Sequence, residues 1–148
     1  MQFISIPEKP LIEPVEIADG EHLLGETIGD AAGASLIVFG SVHGNESSGV
    51  RAIKRVLPKL ENLKEKLNGR VYLLAGNTRA LQKGIRFIDA DLNRHWTRDN
   101  IKNNRPESKI FTNHAEDHEQ TELLEILENI LKTAKAEVFA MDLHSTSA

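Results

Sequence analysis

A continuous β-rich run, Ser35-Leu-Ile-Val-Phe39, stands between Gly33 and Gly40 and constrains the fold more than any other stretch of the chain. A strand that is apolar at successive positions suits the centre of a sheet covered on both faces by helices. From Ser47 to Leu67 the apolar positions Val50, Ile53, Val56, Leu57, Leu60, Leu63 and Leu67 recur at spacings of three and four, which predicts a helix. Pro58 is expected to bend or interrupt it, and Asn68-Gly69 to stop it with a left-handed cap. Arg70–Ala75 (RVYLLA) follows as a second strand. Strand, helix and strand in that order make a βαβ unit with parallel strands.

The helical pattern returns at Glu116–Lys135, with Leu123, Leu124, Leu127, Ile130 and Leu131 on one face and acidic residues near its start. Glu137–Leu143 reads as a third strand. Residues 1–33 carry Pro7, Pro10, Pro14 and short alternating stretches, Val15–Ile17 and His22–Ile28, and are expected to form edge strands and turns. Residues 34–148 are expected to form the core of a single domain, since domains most often run about 100–150 residues. No period survives from Gly76 to about Asn113, and long irregular connections in compact domains are usually functional or disordered. The fold class expected is therefore α/β, a mainly parallel or mixed central sheet flanked by helices.

Composition narrows the chemistry. The chain has no cysteine, so disulfides, a Cys nucleophile and thiolate zinc sites are excluded, while a metal site of His and carboxylate is not. A net charge of −4 argues against a polycationic nucleic-acid surface. The longest apolar runs, Leu36–Phe39 and Val71–Ala75, are far short of the roughly 20 residues that span a bilayer. No basic n-region precedes an apolar stretch at the N-terminus, so neither nucleic acid nor membrane is expected as a partner, and a cytoplasmic location is.

Two strand ends carry the candidate chemistry. After the first strand comes Gly40-Ser-Val-His43-Gly44-Asn45-Glu46, beyond the C-terminal edge where ligands bind in open α/β sheets. Gly44 allows a tight turn, and Glu46 falls near the helix start. Alone, the pair could equally be a solvated His beside a capping Glu. The third strand ends Met141-Asp-Leu-His144, with Asp142 pointing the same way off the strand. Two His and one Glu are the three-ligand pattern of catalytic zinc, with a fourth position left for water. A satisfied core histidine is the alternative for His144. Between the two ends, Arg86, Asp89, Asp91, Asn93 and Arg94 gather fixed positive charge beside acidic groups. Arg suits bidentate capture of a carboxylate or stabilisation of an oxyanion, and a solvated charge cluster is the plainer reading. His114-Ala-Glu-Asp-His118 reads as a solvated helix start, and His22 and His95 have no partner at a useful spacing.

His43-Gly-Asn-Glu46, Asp91-Leu-Asn-Arg94 and Asp142-Leu-His-Ser-Thr146, in that order, resemble the succinylglutamate desuccinylase/aspartoacylase family, part of the wider group of zinc carboxypeptidases. The motifs cover residues from about 36 to 146. The resemblance implies one zinc ion per chain held by His43, Glu46 and His144. It implies that Asn93 and Arg94 bind the substrate's free carboxylate, that Arg86 polarises the scissile carbonyl, and that Asp91 orients the first imidazole ligand. The fold implied is zinc-carboxypeptidase-like and truncated at its C-terminus. The activity implied is hydrolysis of a C–N bond other than a peptide bond, in a small N-acyl amino acid.

One departure from the family matters. Its general base is a Glu well beyond the third ligand, so these residues are expected to be the amino-terminal portion of a longer enzyme and inactive or nearly so alone. Uncovered apolar surface near the third strand is expected to favour self-association into a homo-oligomer. A zinc carboxypeptidase acting on peptides, or a non-catalytic zinc or carboxylate-binding module, are the other readings of the same residues.

Overall fold

The computed structural model describes residues 15–105 and 114–145; Pro7, Pro10, Pro14 and Thr146 lie outside them. Four strands, β1 (Leu23–Ile28), β2 (Ala34–Gly40), β3 (Gly69–Ala75) and β4 (Val138–Leu143), form one mixed sheet in the order β1-β3-β2-β4. β2 runs parallel to β3 and to β4, while β1 pairs antiparallel with β3. The unbroken apolar run is thus an inner strand. Because β2 and β4 are parallel neighbours, the chain leaves both at the same edge of the sheet, and that edge carries His43 and His144.

Side-chain alternation along β3 decides what packs on each face. Val71 and Leu73 point to Ile53, Leu57 and Leu60 of α1 (Ser48–Asn62). Tyr72 and Leu74 point the other way, with Ile37, to Leu123 and Ile130 of α5 (Ala115–Thr133). Leu74 and Leu123 are 0% and 1% exposed, and burying side chains of this size contributes about 2 kcal/mol each. The sheet is therefore flanked by helices on both faces. No helix among the described residues is long and apolar enough to cross a membrane.

Three local expectations are corrected. α1 continues through Pro58 to Asn62 rather than breaking there, since a proline near a helix end forfeits one bond, to the Lys54 carbonyl. Asn68-Gly69 is not its cap: α1 ends at Asn62 with Leu63 as its C-cap, a 3₁₀ turn spans Lys64–Lys66, and Gly69 opens β3 with φ at 139°. A Cβ on Gly69 would lie 2.2 Å from the Ala34 carbonyl oxygen, so glycine is required where β2 and β3 begin side by side. The stretch after Gly76 is not irregular throughout. It holds α2 (Thr78–Lys83), α3 (Leu92–His95) and α4 (Arg98–Asn103), too short to register as a helical period. Each starts at a side-chain cap: Asn77 accepts from Ala80 N–H, Asp91 from Asn93 N–H and Thr97 from Asn100 N–H.

Candidate active site

The turn after β2 is built before its functional side chains are placed. Gly40 and Ser41 carbonyls accept the N–H of Gly76 and Asn77, both at 2.8 Å, extending the parallel pairing past the strand ends. Ser41 then turns the chain with φ at 58°, and its hydroxyl donates to the Glu46 carbonyl at 2.9 Å. A left-handed non-glycine residue is a strained choice, held here by bonds on both sides. Gly44 presses against α2, where a Cβ would meet the Ala80 carbonyl carbon at 2.2 Å, and its N–H donates to the Arg86 carbonyl at 3.0 Å.

This turn and the end of β4 bring three side chains together. His43 Nδ1 lies 3.0 Å from Glu46 Oε1, and His144 Nδ1 lies 3.1 Å from Glu46 Oε2. One ligand atom from each residue lies within 4.8 Å of the others. His43 and Glu46 are buried, whereas His144 is exposed. The far ring nitrogens face aspartates: His43 Nε2 is 3.1 Å from Asp91 Oδ1, and His144 Nε2 is 2.5 Å from Asp142 Oδ2. An imidazole that donates from Nε2 keeps a lone pair on Nδ1. Both Nδ1 atoms would then oppose a carboxylate oxygen, an arrangement relieved only by a proton or a cation between them. Two imidazoles and a carboxylate, each ring backed by an aspartate, fit a zinc ion and suit magnesium or calcium poorly.

Burial works against the charge of Glu46, but the Ser145 N–H and both imidazoles outweigh it, so Glu46 titrates below the ordinary carboxylate range. Asp91 is likewise held low against its burial, by His43, the Asn93 N–H and Arg86. The Arg86 guanidinium stands at the rim, 44% exposed, with Nη2 2.9 Å from His43 Nε2 and 3.4 Å from Asp91 Oδ2. Arg86 and Asp91 compete for that ring nitrogen: the guanidinium needs a lone pair there and the carboxylate needs a proton.

Asn93 and Arg94 lie in α3, close to its cap Asp91. Both are exposed, and neither side chain has a hydrogen-bond partner among the described residues. Asn93 also lines a cleft of about 330 Å³ whose walls include Val42, Leu92, Trp96, Leu127 and Asp142. Trp96 is thus a cleft wall packed against the core.

The beginning of α5 departs most from its sequence reading. His114 and His118 are exposed, yet Glu116, Asp117, Glu119 and Gln120 are buried. Glu119 accepts from Thr78 and Arg79 of α2. Asp117 takes up His95 and Asn104, while Gln120 holds the His95 carbonyl and Asn104. His22, 1% exposed, donates to the Ala75 carbonyl and faces Glu119 and Glu122. These partners are distant in sequence, so no local spacing could have signalled them. Ser41 carried no signal either.

The profile of the succinylglutamate desuccinylase/aspartoacylase catalytic domain matches residues 32–148. A succinylglutamate desuccinylase from Pseudomonas putida is 38% identical over 65 residues, 44% of this chain and 19% of that protein. An N-acyl-aromatic-L-amino acid amidohydrolase (carboxylate-forming) from Xenopus tropicalis is 30% identical over 125 residues, 84% of this chain and 38% of its own. The crystal structure of a succinylglutamate desuccinylase from Chromobacterium violaceum is similar at a TM-score of 0.62 and 26% identity. That likeness covers 81% of this chain and 37% of the other. The chain therefore spans well under half the length of each of these relatives.

Proposed function

The chain belongs to the succinylglutamate desuccinylase/aspartoacylase catalytic-domain family, and from that premise we propose that it serves zinc-dependent hydrolysis of the amide bond of an N-acyl amino acid. The observation that carries this reading is the convergence of His43, Glu46 and His144 on one point at the sheet edge. Those three side chains would hold the ion. When bound, zinc supplies Lewis acidity toward the scissile carbonyl and lowers the pKa of water.

The remaining roles fall to this chain's own residues. Asp91 and Asp142 would keep the two imidazoles turned with Nδ1 inward. Arg86, at the rim and half open to solvent, would donate to the oxygen on which negative charge develops. Arg94 and Asn93, exposed and without a side-chain partner among the described residues, would take the substrate's free carboxylate, with Arg94 offering two parallel N–H donors. The cleft beside Asn93, walled by Val42, Leu92, Trp96 and Leu127, would receive an apolar part of the substrate. Proton transfer would use a carboxylate downstream of His144, as the family resemblance implies.

The test is release of free amino acid from N-succinyl-L-glutamate, N-acetyl-L-aspartate and N-acetyl aromatic amino acids, before and after removal of metal by a chelator. We expect turnover of at least one of them, lost with the metal and restored by zinc. Cleavage of peptides instead, or turnover indifferent to the chelator, would overturn the reading. Assaying the 148-residue chain beside a longer form tests whether the base lies downstream.

A further inference from the structure

Among the buried carboxylates of α5, Glu116 differs in what it holds. It is 0% exposed and accepts the backbone N–H groups of Ile88, Asp89 and Ala90 at 2.7, 2.9 and 3.0 Å. The Asn77 side-chain amide donates to it as well, at 2.9 Å. Glu119 and Glu122 face Arg79, whereas Glu116 has no cationic partner among the described residues. Three successive peptide N–H groups on one carboxylate orient three peptide planes and so fix the path of the chain.

The grip is reciprocal. Asp89 Oδ2 accepts the N–H of Ala115 at 2.7 Å, the first residue of α5, whose own N-cap residue His114 supplies no side-chain bond. Loop and helix therefore cap one another. The gripped segment sits in the middle of the proposed substrate machinery. Arg86 precedes it by two residues, and Asp91, Asn93 and Arg94 follow it by one, three and four.

We infer that Glu116 is a positioning residue for substrate: by clamping residues 88–90 it sets where Arg86, Asn93 and Arg94 present their donors. The inference rests on the hydrolase reading above. Burial disfavours the charge of Glu116, but its four donors outweigh that and hold its pKa below the ordinary value, so the clamp is ionised at neutral pH. A glutamine in its place would turn an NH₂ group toward N–H donors and release at least one of them. The metal ligands lie outside the gripped loop, on the turn after β2 and beyond the end of β4. Loosening the loop should therefore weaken substrate capture more than metal holding.

The experiment compares the zinc-loaded full-length protein with its Glu116→Gln and Asp89→Ala variants. Amide hydrogen exchange is read peptide by peptide, kcat and KM are taken per bound zinc, and zinc affinity is measured by chelator competition. In Glu116→Gln, exchange across residues 86–91 should quicken by about tenfold while β2 and β3 stay protected. KM for an N-acyl amino acid should rise by about tenfold, with a smaller change in zinc affinity. Asp89→Ala, at an exposed side chain, should move the same readouts less far, and it carries the test if Glu116→Gln does not fold. Faster exchange spread evenly over the sheet, or kcat and KM per bound zinc both unchanged, would reduce Glu116 to a general stabilising role and overturn the inference. Unchanged loop exchange in an active enzyme overturns it alone. A wild-type protein inert toward every N-acyl amino acid overturns the hydrolase reading and the substrate role together.

Discussion

The carboxylate of Glu46 accepts the backbone N–H of Ser145 at 2.9 Å, tying the turn after β2 to the chain just past β4 across 99 residues. The same oxygen faces His144 Nδ1 at 3.1 Å, so one side chain both staples the two strand ends and joins the two imidazoles. Glu46→Gln keeps the size but replaces one oxygen by a donor and removes the charge. Zinc affinity should fall by at least about a hundredfold, beyond the range usual for partners outside the ligand set. Titration against a chromophoric chelator measures it. Unaltered affinity would remove Glu46 from the site.

The two arginines should separate kinetically. Arg94→Ala takes away an exposed charge on α3 and should raise KM for substrates with a free carboxylate by about a hundredfold, the usual loss for a charge-assisted bond. Arg86→Ala should instead lower kcat, because its charge counts most against a developing oxyanion. An Arg86→Ala enzyme with normal kcat and raised KM would make Arg86 a second carboxylate binder.

The inner strands were legible as short continuous apolar runs, which suit a sheet covered on both faces, and the two long helices because their apolar side chains recur at spacings of three and four. The shared edge of His43 and His144 was legible too, since both follow strands of a parallel arrangement. The first two turns of α5 were not. Acidic residues at a helix start ordinarily meet water and the helix dipole, whereas Glu116 and Glu119 are buried among donors from segments 26 to 41 residues away. The short helices α2 to α4 escaped for a related reason: caps and these distant carboxylates hold them, with little periodicity of their own.

Acid should loosen the α5 network through Glu122. Burial works against its charge, but Arg79 and His22 lower its pKa from 4.5 to about 2. A carboxylate with a depressed folded pKa adds stability that is complete above its unfolded pKa and is lost as pH falls toward the folded one. The window here is therefore from about 4.5 down to about 2. At 36% side-chain exposure, solvent screening leaves on the order of 1 kcal/mol. Glu122→Gln should be less stable than wild type at neutral pH, and the gap should close as the pH falls through that window. Urea denaturation at a series of pH values measures the gap, and a constant difference would show that Glu122 contributes through packing alone.

Asp91 and Asp142 both back an imidazole, and Asp91 has a further job, accepting the Asn93 N–H at 3.0 Å as the cap of α3. The two jobs can be taken apart. Asparagine caps a helix about as well as aspartate, so Asp91→Asn should keep α3 and the reach of Arg94 while weakening the hold on His43. Zinc affinity should drop by about tenfold with KM and thermal stability little changed. Asp91→Ala removes the cap as well and should cost about 1 kcal/mol more of stability, with KM rising as Asn93 and Arg94 lose their fixed start. Asp142→Ala touches neither the cap nor α3. It should lower zinc affinity by about 10–100-fold and, because Asp142 also lines the cleft beside Asn93, raise KM less than Asp91→Ala does. If Asp142→Ala raised KM as much as Asp91→Ala does, the two aspartates would act through the substrate rather than through the imidazoles they contact.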